Sequence, residues 1–261
     1  MDLSTIIGIV VAWGAILYSA HHLAEGDNLF LMYFKPGEVI LVGGCAIGAT
    51  FMSMPLHSVI GALKSGLKFV LNKGSHAEHI IKDLVNYAEI ARRDGVLALE
   101  SASREAHDPF LRRGLQLTID GTDPEIIERI MRIEIDSMAE RHKHGKHFFG
   151  TIAKFGPGCG LVACLMAQVA MFKNLNGGAE VIGKALATAL TGTLYGAVLQ
   201  NLLAGPVAEK LGLLSKDEQF VKEVILQGVL SIQAGNNPRV VEMQLLSFLS
   251  SKQAAGVAKA A

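Results

Sequence analysis

Phe148 to Phe172 reads FFGTIAKFGPGCGLVACLMAQVAMF, and Val181 to Val207 reads VIGKALATALTGTLYGAVLQNLLAGPV. As helices rising about 1.5 Å per residue, each run is long enough to cross a hydrocarbon core of about 30 Å. Only the polar link KNLNGGAE, Lys173 to Glu180, separates them. A connection that short lays two helices antiparallel and side by side, so the sequence predicts a transmembrane hairpin that packs as a unit.

Each predicted helix has one weakly polar face. On the second, Ala185, Ala189, Gly192 and Gly196 recur at or near every fourth position, the small-xxx-small pattern that lets backbones approach where lipid supplies no hydrophobic drive. Thr193 and Gln200 lie two turns apart on that side. On the first, Pro157, Gly160, Cys164 and Gln168 form a matching stripe. Such faces turn toward other helices or toward a wet pathway, and spacing alone leaves both open.

The composition fits a membrane protein. Hydrophobic residues make up 50% of the chain, charged residues 18% and aromatics 6%, with a mean hydropathy of +0.36. Lys and Arg total 24 against 24 Asp and Glu, so net charge gives no reason to expect a nucleic-acid partner. Cys45, Cys159 and Cys164 fall inside apolar runs, where a small buried hydrophobe is the default role. The opening Met1-Asp-Leu-Ser-Thr-Ile lacks the positive region of a secretory signal, so the first apolar run is expected to be kept as a helix.

Two further spans precede the hairpin, Thr5 to Ala20 and Val39 to Met54. The link between them, His21 to Glu38, holds one Lys and no Arg. By contrast Lys64, Lys68 and Lys73 follow the second span, Arg141, Lys143 and Lys146 precede the third, and Lys210, Lys216 and Lys222 follow the fourth. The positive-inside rule then places both termini in the cytoplasm. The expected fold is an all-α, multi-pass membrane protein whose four spans form two hairpins. Its regions are 1–56 (spans 1 and 2), 57–147 (a large cytoplasmic helical block), 148–207 (spans 3 and 4) and 208–261 (a cytoplasmic helical tail).

Within the block, Asp108-Pro109 and Asp123-Pro124 are N-cap plus N1 signals, and Gly95, Gly114 and Gly121 are expected stops or turns. No Gly-rich phosphate loop and no metal-ligand spacing occurs, so neither enzyme nor cofactor is expected. RHKHGKH, Arg141 to His147, reads as a basic collar beside a membrane helix rather than a metal site. YAEIARRDGVLALE, Tyr87 to Glu100, reads as a charged helix end, a glycine break and a new helix. In the tail, Ser215 to Ala234 is amphipathic, with Phe220, Val221, Val224, Ile225 and Leu230 on its apolar side. Asn236-Asn-Pro-Arg239 ends it, a short helix starts at Val240, and the last residues from Ser250 are expected to fray.

No Asp or Glu falls within the four spans as read here. A protein that uses an ion gradient needs an ionisable or oxygen-rich site at membrane depth, so any protonatable carboxylate is expected from another polypeptide, with this chain supplying the lining.

Three stretches together carry a resemblance: ALTGTLYGAV (Ala189 to Val198) with Pro206 beyond it, AKFGPGCGLV (Ala153 to Val162), and NPRVVEMQLLSF (Asn237 to Phe248). They look like the MotA/PomA family of flagellar stator subunits, and the order of apolar and charged blocks agrees along essentially the whole chain. The resemblance implies a channel subunit of the bacterial inner membrane that surrounds, in five copies, two copies of a single-span MotB-like partner. That partner's membrane Asp would bind the ion. Pro157, Gly160, Cys164, Thr193 and Pro206 would line the pathway. Arg92 and Glu100, with Arg93 beside them, would contact the rotor protein FliG and turn it. ExbB and TolQ, energisers of outer-membrane transport, are the alternative in the same superfamily, but they carry one span ahead of the block where this chain has two. Sodium-driven members place a Thr on the third span opposite the Thr of the fourth. Here Thr193 faces a chain with Cys164 at that position, and a thiol is a poor ligand for a hard cation, which favours protons over sodium.

Overall fold

The computed structural model describes residues 3–24, 28, 32–56, 58–62, 77–251 and 253–254, and every regular element among them is helical. Lys64, Lys68 and Lys73, on which part of the topology expectation rests, lie outside the described residues, as do residues 255–261 of the tail. The chain divides into two compact units. One holds the described residues of Met1–Lys73 and Arg141–Leu213, the other those of Gly74–Glu140 and Leu214–Ala261.

The first unit contains α1 (Leu3–Leu23), α2 (Pro36–Ser53), the later part of α6 (Pro124–Lys173), a single 3-10 turn (Leu175–Gly177), α7 (Gly178–Val198), a π-helical segment (Leu199–Ala204) and the start of α8 (Gly205–Gln233). α1, α2, α6 and the helix running from α7 into α8 are each long and apolar enough to cross a membrane. α2 starts at Pro36, which needs no amide donor in the first turn, and stops before Pro55, which could not continue it. Val42 and Ala46 of α2 bury themselves against Cys159 and Ala163 of α6. A second cluster joins Met54, Val59 and Ala62 to Phe148, Ile152, Ala153 and Ala204. α1 is apolar all round and buries none of its residues within this chain.

The second unit contains α3 (Ala77–Asp94), a 3-10 turn (Val96–Ala98), α4 (Leu99–Glu105), α5 (Pro109–Ile119), the first part of α6, most of α8 and α9 (Pro238–Leu246). Its core is Ile81, Leu84, Leu99, Leu111, Leu115, Ile127, Met131, Ile225, Leu226 and Leu245, each essentially removed from solvent. Each such side chain contributes about 1.5–3 kcal/mol of hydrophobic stabilisation. The expected caps form: Asp108 accepts from the amides of Phe110 and Leu111 at 2.7 and 3.2 Å, and Asp123 accepts from that of Glu125 at 2.9 Å.

Three local expectations change. Gly114 is not a stop but lies inside α5, where a Cβ would stand 2.8 Å from the Met131 methyl and 2.9 Å from Val229; its smallness is used for helix packing. The helix that carries the third span does not begin near Phe148 but already runs from Pro124, because no proline intervenes and Gly145 alone is too weak a breaker. The tail helix likewise runs on from Gly205 rather than starting at Ser215.

Candidate functional site

The two weakly polar stripes meet, and what they build is a backbone-to-backbone crossing. A Cβ on Gly160 of α6 would stand 2.9 Å from the Gly192 carbonyl oxygen, 3.2 Å from the Gly196 Cα and 3.3 Å from the Thr193 Cα. A Cβ on Gly196 would stand 2.7 Å from the Gly156 carbonyl oxygen and 3.2 Å from the Pro157 Cα. A Cβ on Gly192 would meet that of Ala163 at 2.8 Å and the Cys164 amide nitrogen at 3.6 Å. Glycine is therefore required at these positions for α6 and α7 to approach. Pro157 sits inside α6 without interrupting it, although it removes the amide that would donate to Ala153.

Around this crossing the expected pathway residues divide. Gly160 is buried, while Pro157 and Cys164 are half-buried. Thr193 is exposed, its hydroxyl donating to the Ala189 carbonyl at 3.4 Å. Cys164 accepts from the Gln168 amide at 3.6 Å. Pro206 is elsewhere: with Asn201 it lines an apolar cavity of about 800 Å³ whose opposite wall is Gly8, Ala12 and Trp13 of α1. Cys45 and Cys159 are free thiols whose sulfurs lie 2.6 Å apart between α2 and α6.

Pro206 also explains the π segment. In a continuous α-helix the ring would press on the carbonyl one turn earlier. The chain instead widens over Leu199–Ala204, and the Gly205 amide donates five residues back, to Gln200. A Cβ on Gly205 would overlap that same carbonyl. Sequence reasoning finds the proline but not the widened turn, whose signal is the Gly205-Pro206 pair.

One acidic residue lies within the helix that carries the second span. α2 begins at Pro36, so Glu38 lies in its first turn rather than ahead of it. Its Oε2 would be 3.3 Å from a Cβ on Gly192. That oxygen is buried and has no hydrogen-bond partner.

In the other unit, Arg92 and Arg93 end α3, Gly95 turns the chain at φ 87°, and Glu100 enters the first turn of α4. All three charged residues are exposed. Arg93 is held by Asp94 at 2.8 Å, and this hydrogen bond keeps the Asp94 carboxyl below the usual carboxylate range and raises Arg93. Glu100 pairs with Arg104 at 2.7 Å. Between them Leu97 is 75% exposed, an apolar tip amid charges that the sequence reading did not single out.

Comparison with known proteins gives a consistent result. The MotA/TolQ/ExbB proton channel family matches residues 102–223, and the motility protein A N-terminal family matches residues 6–94. The chain is 38% identical to motility protein A of Borreliella burgdorferi over 97% of this chain and 95% of that protein. It is similar to the solved MotAB of C. jejuni, with a TM-score of 0.88 and 29% identity over 96% of this chain and 97% of that one. It is also similar to the flagellar MotAB stator complex of Bacillus subtilis, with a TM-score of 0.88 and 27% identity over 98% and 99% of the two chains.

Proposed function

We infer the function of this chain from one premise: it belongs to the MotA/TolQ/ExbB proton channel family and matches its motility protein A members along nearly its whole length. It is a flagellar motor stator subunit of the bacterial inner membrane, which forms an ion channel together with a MotB-like partner.

The four spans form two hairpins, the block and both termini face the cytoplasm, and five copies surround two copies of the partner. The partner's single span contributes a membrane Asp. The α6–α7 crossing presents Pro157, Gly160, Cys164 and Thr193 toward that span, and the Gly205-Pro206 turn below it is where α7 and α8 flex. Protons, taken up and released in the channel, step the ring of subunits. Arg92, Arg93 and Glu100 then push on FliG. Exposed charges suit that contact because each is worth little singly, so the contact forms and breaks readily.

The observation that carries this reading is the glycine crossing. A stripe of small residues brings two spans into backbone contact and leaves the Thr193 hydroxyl on the outside of the pair. A helix pair built this way is stiff enough to transmit a push and polar enough at its edge to border an ion path. The test is to co-express the chain with a single-span partner carrying a membrane Asp, in cells lacking their own stator. Native mass spectrometry should give five chains to two partners, and tethered cells should rotate. Stationary cells with a fully assembled complex would exclude the motor function; failure to form any complex would exclude the assembly.

A further inference from the structure

Glu38 heads a stripe on α2 that otherwise points inward. Val42, Ala46 and Thr50 follow it at intervals of one helical turn, and all three are buried. The carboxylate thus faces the junction of three helices. The point from which a Gly192 Cβ would project lies 3.3 Å from Glu38 Oε2, 2.8 Å from the Ala163 Cβ and 3.6 Å from the Cys164 amide nitrogen.

An acid in a first turn is unremarkable where a helix starts at a wet surface, since it opposes the helix dipole there. α2 does not start at such a level. Tyr195 of α7 donates to the Tyr33 carbonyl and accepts from the Lys35 amide at 2.8 Å, while the Lys35 ammonium donates to Thr188 at 3.0 Å. These bonds pin the start of α2 against the later half of α7, in the middle of the apolar run from Val181 to Val207. From Gly178 to Gly192 is about 20 Å along the helix, and about as much remains to Val207. Glu38 is therefore half-way along the apolar run, and its Oε2 is buried and accepts no hydrogen bond. An unpaired carboxylate oxygen in apolar surroundings is costly and is relieved by taking up a proton or cation, which is why ionisable groups at membrane depth mark ion paths.

We propose that Glu38 is a proton-binding station carried by this chain, at the α2–α6–α7 junction, that exchanges protons with the path bordered by α6 and α7. The proposal rests on the ion-conducting reading above. A proton is the fitting ligand because one carboxylate oxygen holds it unaided, whereas a bare alkali cation needs several further oxygens. Among the described residues no group of three or more His, Cys, Asp or Glu converges on one point. The step balances without a redox partner: hydronium transfers its proton to Oε2, forming the O–H bond and releasing water, and that bond breaks when the proton passes to the next water or carboxylate. Among the described residues, the ionisable groups near the junction include Lys35 on the turn before, Tyr195 from α7 and Cys164 from α6, with Cys45 and Cys159 one to two turns along α2 and α6.

The test uses the full chain with its co-expressed partner in liposomes, with a pH dye inside and an imposed potential. Glu38→Gln should lower proton influx at least tenfold with an unchanged size-exclusion profile, and Glu38→Asp should keep a large share of it. Influx of Glu38→Gln within twofold of the parent overturns the proposal. Infrared difference spectra of the same complexes between acid and neutral pH provide the second readout. A protonated-carboxyl band present in the parent and missing in Glu38→Gln supports the station even if the parent carries no current, in which case only the ion-conducting reading fails. A spectrum unaltered by Glu38→Gln overturns the station even if current flows, and where Glu38→Gln does not assemble, the same comparison is made with Glu38→Asp, whose band must shift.

Discussion

The Gly156 carbonyl oxygen of α6 lies 2.7 Å from where a Cβ on Gly196 of α7 would stand, and the Gly196 carbonyl lies 3.2 Å from where one on Gly156 would stand. Neither neighbour is a flexible side chain, so neither can yield without moving a helix. Gly196→Ala is expected to destabilise the purified complex by about 1–3 kcal/mol, the usual cost of overpacking. Gly44→Ala, with nothing within 4 Å of the new methyl, is the matched control and should leave the melting temperature unchanged. Equal melting of the two variants in detergent would show that the crossing is looser than described.

The π turn gives a second prediction, on motion rather than stability. Gly205→Ala places a methyl on the Gln200 carbonyl, so the turn over Leu199–Ala204 must tighten toward α and carry Pro206 out of its place in the cavity facing Trp13. The variant should assemble yet rotate tethered cells slowly. Pro206→Ala, which removes the reason for the widened turn, should have the same phenotype. Rotation at parental speed in both would mean that the turn has no part in stepping.

How far these features were legible varies with their physical cause. Caps are local: Asp108 and Asp123 announce their helices because the side chain bonds amides two or three residues away. The small stripes are also visible, since helical periodicity puts Gly160 beside Gly156 and Cys164 whatever lies opposite. The position of Glu38 against α7 was not legible, because the Tyr195 and Lys35 bonds that set it join partners far apart along the chain, which no local pattern encodes. Gly114 was misread for a similar reason: a glycine that breaks a helix and one that admits Met131 and Val229 look alike in sequence.

The segment from Arg92 to Glu100, proposed above to meet the rotor, predicts a graded response. Arg92→Glu and Glu100→Lys should each impair swimming while leaving assembly intact, because both residues are exposed. Arg93→Glu and Glu100→Lys should each do less than Arg92→Glu, since Arg93 is already engaged with Asp94 and Glu100 with Arg104, at 2.8 and 2.7 Å. Leu97→Asp should match the strongest charge reversal, because a Leu that is 75% exposed at the tip of the turn supplies the apolar part of any contact made there. Swimming-plate diameters with quantified membrane levels decide among these, and normal swimming of the Arg92→Glu, Glu100→Lys double variant would remove the segment from the rotor contact.

The ion itself is the last prediction, and it turns on what the α6–α7 edge offers. Sodium must exchange its hydration shell for a comparable set of oxygens. Thr193 provides one hydroxyl, exposed and only weakly engaged with Ala189 at 3.4 Å. On α6 the side chain at the matching level is Cys164, a thiol already accepting from Gln168, and sulfur is a poor ligand for a hard cation. The crossing cannot compensate with the Gly192 carbonyl, because that oxygen is packed against Gly160. A proton needs none of these oxygens, only carboxylates and water. Swimming speed should therefore be indifferent to sodium at fixed pH and should collapse on adding a protonophore. Cys164→Thr should leave that behaviour unchanged, since one added hydroxyl completes no shell, whereas speed that climbs with sodium and survives the protonophore would reverse the assignment.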